Sequence, residues 1–144
     1  MKNETNWKHK SLSSLLKSET PKFNPEDESY LLTTCRNLIN KPLIEFSIED
    51  LRVLISQSIG LNYLIQIAIE KLETNILSEG DFYEGDLLKS VLTSDENYWK
   101  DNLAEWHKIC EIFTENIQLI KNFDTTWSIK KGWLDSFEKF KDYN

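Results

Sequence analysis

One run, from Ser47 to Leu88, limits the architectures open to this chain more than any other stretch. Ile48, Leu51, Leu54, Ile55 and Ile59 recur at helical spacing, and after a single glycine Leu61, Leu64, Ile65, Ala68 and Leu72 repeat the pattern. Both sets fit a period of about 3.6 residues, and neither fits the alternation of a strand. Gly60 stands between them, where a helix end takes positive φ without a Cβ clash. The spacing predicts a helical hairpin with Leu51, Leu64 and Ala68 facing the core. An acidic aromatic loop follows it, Gly80-Asp81-Phe82-Tyr83-Glu84-Gly85-Asp86.

The rest of the chain reads as helix too. Asn6 to Lys17 can form a short helix with Leu12, Leu15 and Leu16 inward, ended at the latest by Pro21. Asn24-Pro25 followed by Glu26, Asp27 and Glu28 is a helix-start pattern, predicting a helix to about Asn37 that buries Tyr30, Leu31, Thr34, Cys35 and Leu38. Ser47-Ile48-Glu49-Asp50 is a capping-box variant. Asp86 can cap a short helix through Leu92. Thr93-Ser94-Asp95-Glu96 opens a long one to about Asn122, with Trp99, Leu103, Trp106, Cys110, Phe113, Ile117 and Ile120 on one face. Asp124-Thr125-Thr126 breaks it, and an aromatic helix around Trp133 and Phe140 ends the chain. No run alternates apolar and polar residues, and no hairpin dipeptide occurs. The expected fold class is all-α, a single-domain helical bundle of about five to seven helices. Residues 1–22 are expected as a mobile N-terminal segment and 23–144 as the folded domain.

At 144 residues the chain can bury a sizeable core, roughly two-thirds of its unfolded surface. Its net charge is −7, unevenly spread. Residues 1–22 carry five lysines and two acids, whereas residues 45–111 carry fourteen acids and five bases, a net of −9. Such a centre argues against nucleic acid as a direct ligand and favours a basic partner. The segment Met1 to Lys10 lacks the apolar core of a secretory signal, and no apolar stretch reaches the ~20 residues of a spanning helix. A cytoplasmic protein without membrane attachment is the expectation. Cys35 and Cys110 then read as two buried free thiols.

Candidates for chemistry are few. His9 and His107 are the only histidines; His107 and Cys110 share a helix face, but no orienting acid or third soft ligand accompanies them. Asp81, Glu84 and Asp86 lack the ligand alternation of a calcium loop. No phosphate-binding glycine loop or nucleophile elbow occurs. No catalytic residue, metal ligand or cofactor is therefore assigned. In the loop, Phe82 or Tyr83 is expected to plug the core and Asp86 to cap the next helix, while Asp81 and Glu84 have no local role that needs their charge. Among the five tryptophans, Trp99, Trp106 and Trp133 fall on apolar faces; Trp127 and Trp7 are the candidates for exposure.

The ordered series Pro42-Leu43, Glu49-Asp50-Leu51-Arg52, Gln57-Ser58-Ile59-Gly60-Leu61, Ala68-Ile69-Glu70-Lys71-Leu72 and Gly80 to Leu88 resembles the immunity proteins of bacterial contact-dependent growth inhibition (CDI) systems. The likeness spans about half the chain, from Leu38 to Trp99, and rests on the series rather than on any one motif. Glu84 and Ile76 stand where the pattern has proline.

The resemblance implies a protein that binds the toxic C-terminal domain of a cell-surface effector delivered by a neighbouring cell. It would neutralise that domain in the cytoplasm by stoichiometric occlusion, without turnover. Toxins of such systems are frequently nucleases, whose substrate faces are basic. On this reading the candidate partner-binding residues are Glu79, Asp81, Tyr83, Glu84 and Trp127. The rival readings are a small helical adaptor or regulatory subunit with a host-protein partner, and an enzyme using the acidic loop and a metal. Two lone cysteines and two lone histidines predict a fold that needs neither disulfide nor metal. Reductant or chelator is expected to leave the melting temperature unchanged, and a substantial drop with either would contradict this.

Overall fold

The computed structural model describes residues 6–27 and 29–144. Among these residues the chain forms nine α-helices and no strand. They are α1 (Leu12–Leu16), α2 (Tyr30–Leu38), α3 (Ile48–Ser56), α4 (Leu61–Thr74), α5 (Asp86–Leu92), α6 (Glu96–Asp101), α7 (Leu103–Glu115), α8 (Ile117–Asn122) and α9 (Trp127–Lys141). Short 3-10 turns at Asn6–His9, Lys17–Glu19 and Leu43–Glu45 complete the list.

The hairpin of α3 and α4 forms as its sequence dictates. Ser47 Oγ accepts from the Asp50 amide while the Asp50 carboxylate accepts from the Ser47 amide, so the capping box closes in both directions. Gly60 turns the chain at φ +67°, and a side chain there would also strike Leu12. Leu51, Leu64 and Ala68 are fully buried, as the periodicity requires. The most extensive packing is between α3 and α5; α5 in turn lies against α9, and α4 against α7. Leu12 is fully buried, and the Ser13 amide donates to the Ile39 carbonyl at 2.9 Å, which ties α1 to the end of α2.

Two predicted helices come out differently. The Asn24-Pro25 pattern makes a turn, with Asn24 Oδ1 accepting from the Glu26 amide, and helix α2 starts later, capped by Ser29. Glu28, the third acid of that start pattern, lies outside the described residues, as do residues 1–5. With the shorter helix, Tyr30 and Leu31 are not buried: they are 84% and 40% exposed. The long helix expected to reach Asn122 is divided into α6, α7 and α8 at Asn102 and Asn116. Each of these asparagines donates its side-chain amide to the carbonyl four residues back, Tyr98 at 2.7 Å and Ile112 at 2.8 Å. Such bonds compete with helix propagation, and the break shifts the apolar face. Leu103 is consequently exposed, and Ile109, Ile112 and Phe113 form the buried stripe of α7. Cys35 is buried but Cys110 only half-buried, and both are free thiols.

Trp99 and Trp133 are fully buried and Trp106 half-buried. Each indole has a polar partner: Trp99 Nε1 donates to Ser94 Oγ at 2.8 Å, Trp106 to the Phe140 carbonyl at 2.9 Å and Trp133 to the Gly85 carbonyl at 3.1 Å. Leu64→Ala is expected to cost about 2–5 kcal/mol in chemical denaturation, the range for deleting a buried leucine. A change within about 0.5 kcal/mol would mark a surface position instead.

Candidate functional site

The acidic aromatic loop is built on a charged knot between α3 and α5. Glu49 and Arg52 are three residues apart on α3, close enough to meet on one helix face. Arg52 donates through Nε and a terminal nitrogen to the two oxygens of Glu49, at 2.7 and 2.6 Å, a bidentate pair. Glu49 Oε1 also accepts the Asp81 amide at 2.9 Å, joining α3 to the loop across 32 residues of sequence.

Asp86 closes the loop from the other side. Its carboxylate is buried, and it accepts the Gly80 amide at 2.7 Å and the Phe82 amide at 3.1 Å, with the Tyr83 amide at 3.4 Å. Asp86 is thus not the cap of the following helix, which is entered from Gly85. As the first helical residue it turns back on the loop before it, because three orphan amides point there. Arg52 Nε lies 3.8 Å from Asp86, an ion pair but not a hydrogen bond. Withdrawing a partner from a buried charge of this kind costs about 3–5 kcal/mol. Gly85 has φ +85°, and a Cβ there would run into the Trp133 indole. The loop is therefore gripped by α3, α5 and α9 together.

This geometry overturns the expectation for Phe82. Its ring does not plug the core; it is 69% exposed and stacks over the Arg52 guanidinium, 4.3 Å from the ring centroid. Tyr83 is half-buried, and burial raises its phenol above the ordinary value, with the Asp86 charge adding to the effect. Glu79, Asp81 and Glu84 are exposed. Phe82 and Arg52 border a cleft of about 370 Å³ whose other wall is α2, through Tyr30, Leu31 and Thr34. Trp127 is 74% exposed at the start of α9, with Lys131 over its ring, and among the described residues no hydrogen bond or ring contact joins it to the loop. Trp7 is half-buried against Tyr63.

The other chemical candidates do not assemble. Among the described residues no group of three His, Cys, Asp or Glu side chains converges as a metal site would require. Asp86 faces inward and is committed to backbone amides, so it does not join Asp81 and Glu84 in a carboxylate cluster. His9 and His107 are exposed, and burial pushes the Cys110 thiol up to about 11, away from the reactive thiolate.

The sequence reading missed Tyr30 and Leu31 as surface residues and the positioning roles of Glu49 and Arg52. The Glu49–Arg52 spacing was a visible signal for the pair, but nothing local showed that the loop would close on it.

The arrangement defines a small helical protein that displays an ordered acidic and aromatic surface and assembles no catalytic constellation among the described residues. A family model for CDI immunity proteins matches residues 15–109, which is 95 of the 144 residues. The chain belongs to that family, and membership implies a toxin-neutralising immunity protein with a cognate CDI toxin as its partner. Among curated proteins, none matches the chain. No helix among the described residues is long and apolar enough to cross a membrane.

Hydrogen bonds from Arg52 hold the Glu49 carboxyl below the usual carboxylate range, and the same pairing raises Arg52. A depressed acid stabilises the fold fully above its ordinary value of about 4.3, and that contribution is lost as pH falls through the lower folded value. Glu49→Gln is therefore expected to destabilise the protein at neutral pH and to narrow its gap from wild type as acid is added. Urea denaturation across that range checks it; a gap independent of pH would contradict the ion-pair role.

Proposed function

We propose that this protein neutralises its cognate CDI toxin domain by stoichiometric occlusion in the cytoplasm, and that the toxin is a nuclease with a basic substrate face. The family match over residues 15–109 carries the reading. The charge distribution supports the choice of toxin class. Residues 79–105 hold eight acids against Lys89 and Lys100, a net of −6. Within that segment Glu79, Asp81, Glu84, Glu96 and Asp101 are exposed, so they act outward as a field. An acidic field of this kind speeds encounter with a basic partner and is weakened by salt. A surface ordered before the toxin arrives binds at lower entropic cost, and a loop held by three helices supplies one.

The test is association with the purified toxin domain at two salt concentrations. The double change Asp81→Lys with Glu84→Lys leaves the knot in place, because Asp81 joins it through its backbone amide. It is expected to slow association by about tenfold at low salt, to reduce the salt dependence and to weaken protection, with the helical signal intact. Equal, salt-independent rates for both proteins would place the binding face elsewhere.

A further inference from the structure

Seven large hydrophobic side chains are exposed among the described residues, and three of them, Tyr30, Leu31 and Phe82, line one cleft. The three come from two segments about fifty residues apart in sequence, so their meeting is a product of the fold. Each is costly to leave in water. Phe82 is held outward: its backbone amide donates to Asp86 and its ring is stacked on Arg52. Arg52 is in turn neutralised by Glu49 and Asp86, so it does not make the cleft basic. Asp81, on the rim, forms no ion pair among the described residues.

The other clefts differ in character, and those of about 330 and 260 Å³ are bordered by none of the exposed large hydrophobics. That of about 430 Å³ has mixed walls, Glu19, Asn62, Asp95 and Asp101 beside Leu16, Ile59 and Leu61, and none of the exposed large hydrophobics borders it. That of about 380 Å³ lies between α7, α8 and α9 and has apolar walls, but its acids Asp135 and Glu138 are already paired with Lys131 and Lys141. Among the described residues, the cleft beside the loop combines exposed large hydrophobic walls with an excess of acid, since Glu49, Asp81 and Asp86 surround the single cation Arg52 and Asp81 is the outermost of them.

We propose that the cleft between α2, α3 and the loop is the docking site on this protein for its toxin. It would take a surface element that places an apolar side chain between Tyr30, Leu31 and Phe82 and a lysine or arginine against Asp81. The inference rests on the toxin-binding reading above and names the face and the chemistry it selects. Aromatic side chains at the centre of an interface carry a disproportionate share of its affinity, while a rim acid sets rate and register. The knot beneath acts by positioning: it holds Phe82 outward so that the partner need not order it.

The experiment is calorimetric titration of the full chain with the purified C-terminal toxin domain of its cognate CDI effector. Tyr30→Ala and Phe82→Ala are each expected to raise Kd by at least about tenfold, Tyr30→Ala with the melting temperature unchanged. Asp81→Asn is expected to flatten the salt dependence of Kd. Leu119→Ala, which removes an exposed leucine from α8, is expected to stay within about twofold of wild type. Tyr30→Ala lies on α2, outside the knot, so its result stands even if Phe82→Ala loosens the loop. If both aromatic variants bind within about twofold of wild type, the proposal is overturned; loss confined to Trp127→Ala overturns it too and moves the face to the start of α9. Tight wild-type binding in either case leaves the toxin-binding reading standing. Absence of wild-type binding removes that reading and this one with it.

Discussion

The Arg52 guanidinium is the group on which the loop surface depends. Glu49 holds it from one side with two hydrogen bonds, the buried Asp86 carboxylate faces it at 3.8 Å, and the Phe82 ring covers it. One cation thus balances two acids that the fold has drawn out of water. The arrangement is tolerable because the spare oxygens of both acids are occupied: Glu49 takes the Asp81 amide, and Asp86 takes those of Gly80 and Phe82. The backbone of an exposed loop is thereby ordered by side chains of two helices. The loop also serves the far side of the molecule, since the Gly85 carbonyl receives the buried Trp133 indole of α9.

That dependence explains what could be read from the sequence. Features set by neighbours in the chain were legible: the Ser47–Asp50 capping box, the positive φ at Gly60, the buried faces of α3 and α4, and the helix start within Thr93–Glu96. Features set by long-range closure were not. Asp86 precedes an apolar run and so reads as a cap, yet its carboxylate serves amides on its N-terminal side. Phe82 is apolar and so reads as core, yet the guanidinium supplies a surface position for its ring. The asparagines at 102 and 116 look harmless within an apolar periodicity, yet each ends a helix by bonding back to its own chain. The candidate acids 79, 81 and 84 were found by charge alone; the apolar part of the same surface, Tyr30 and Leu31, depended on where α2 begins.

The geometry divides the residues around one short loop into two sets. Asp86, Glu49 and Arg52 hold shape and face inward. Asp81, Glu84 and Phe82 face outward and are available to a partner. An immunity protein gains from such a division, because a preformed surface loses little conformational freedom on binding. On the proposed docking face, variation in the outward set changes the partner without disturbing the fold, provided the inward set stays.

Amide hydrogen exchange in the free protein tests the central claim most directly. If the knot orders the loop, the amides of Gly80, Asp81 and Phe82 exchange slowly, in the range of amides inside α3, while Glu84, whose amide has no partner among the described residues, exchanges fast. If the three amides exchange as fast as Glu84, the loop is open in the free protein. Ordered display by Glu49, Arg52 and Asp86 would then not be its basis.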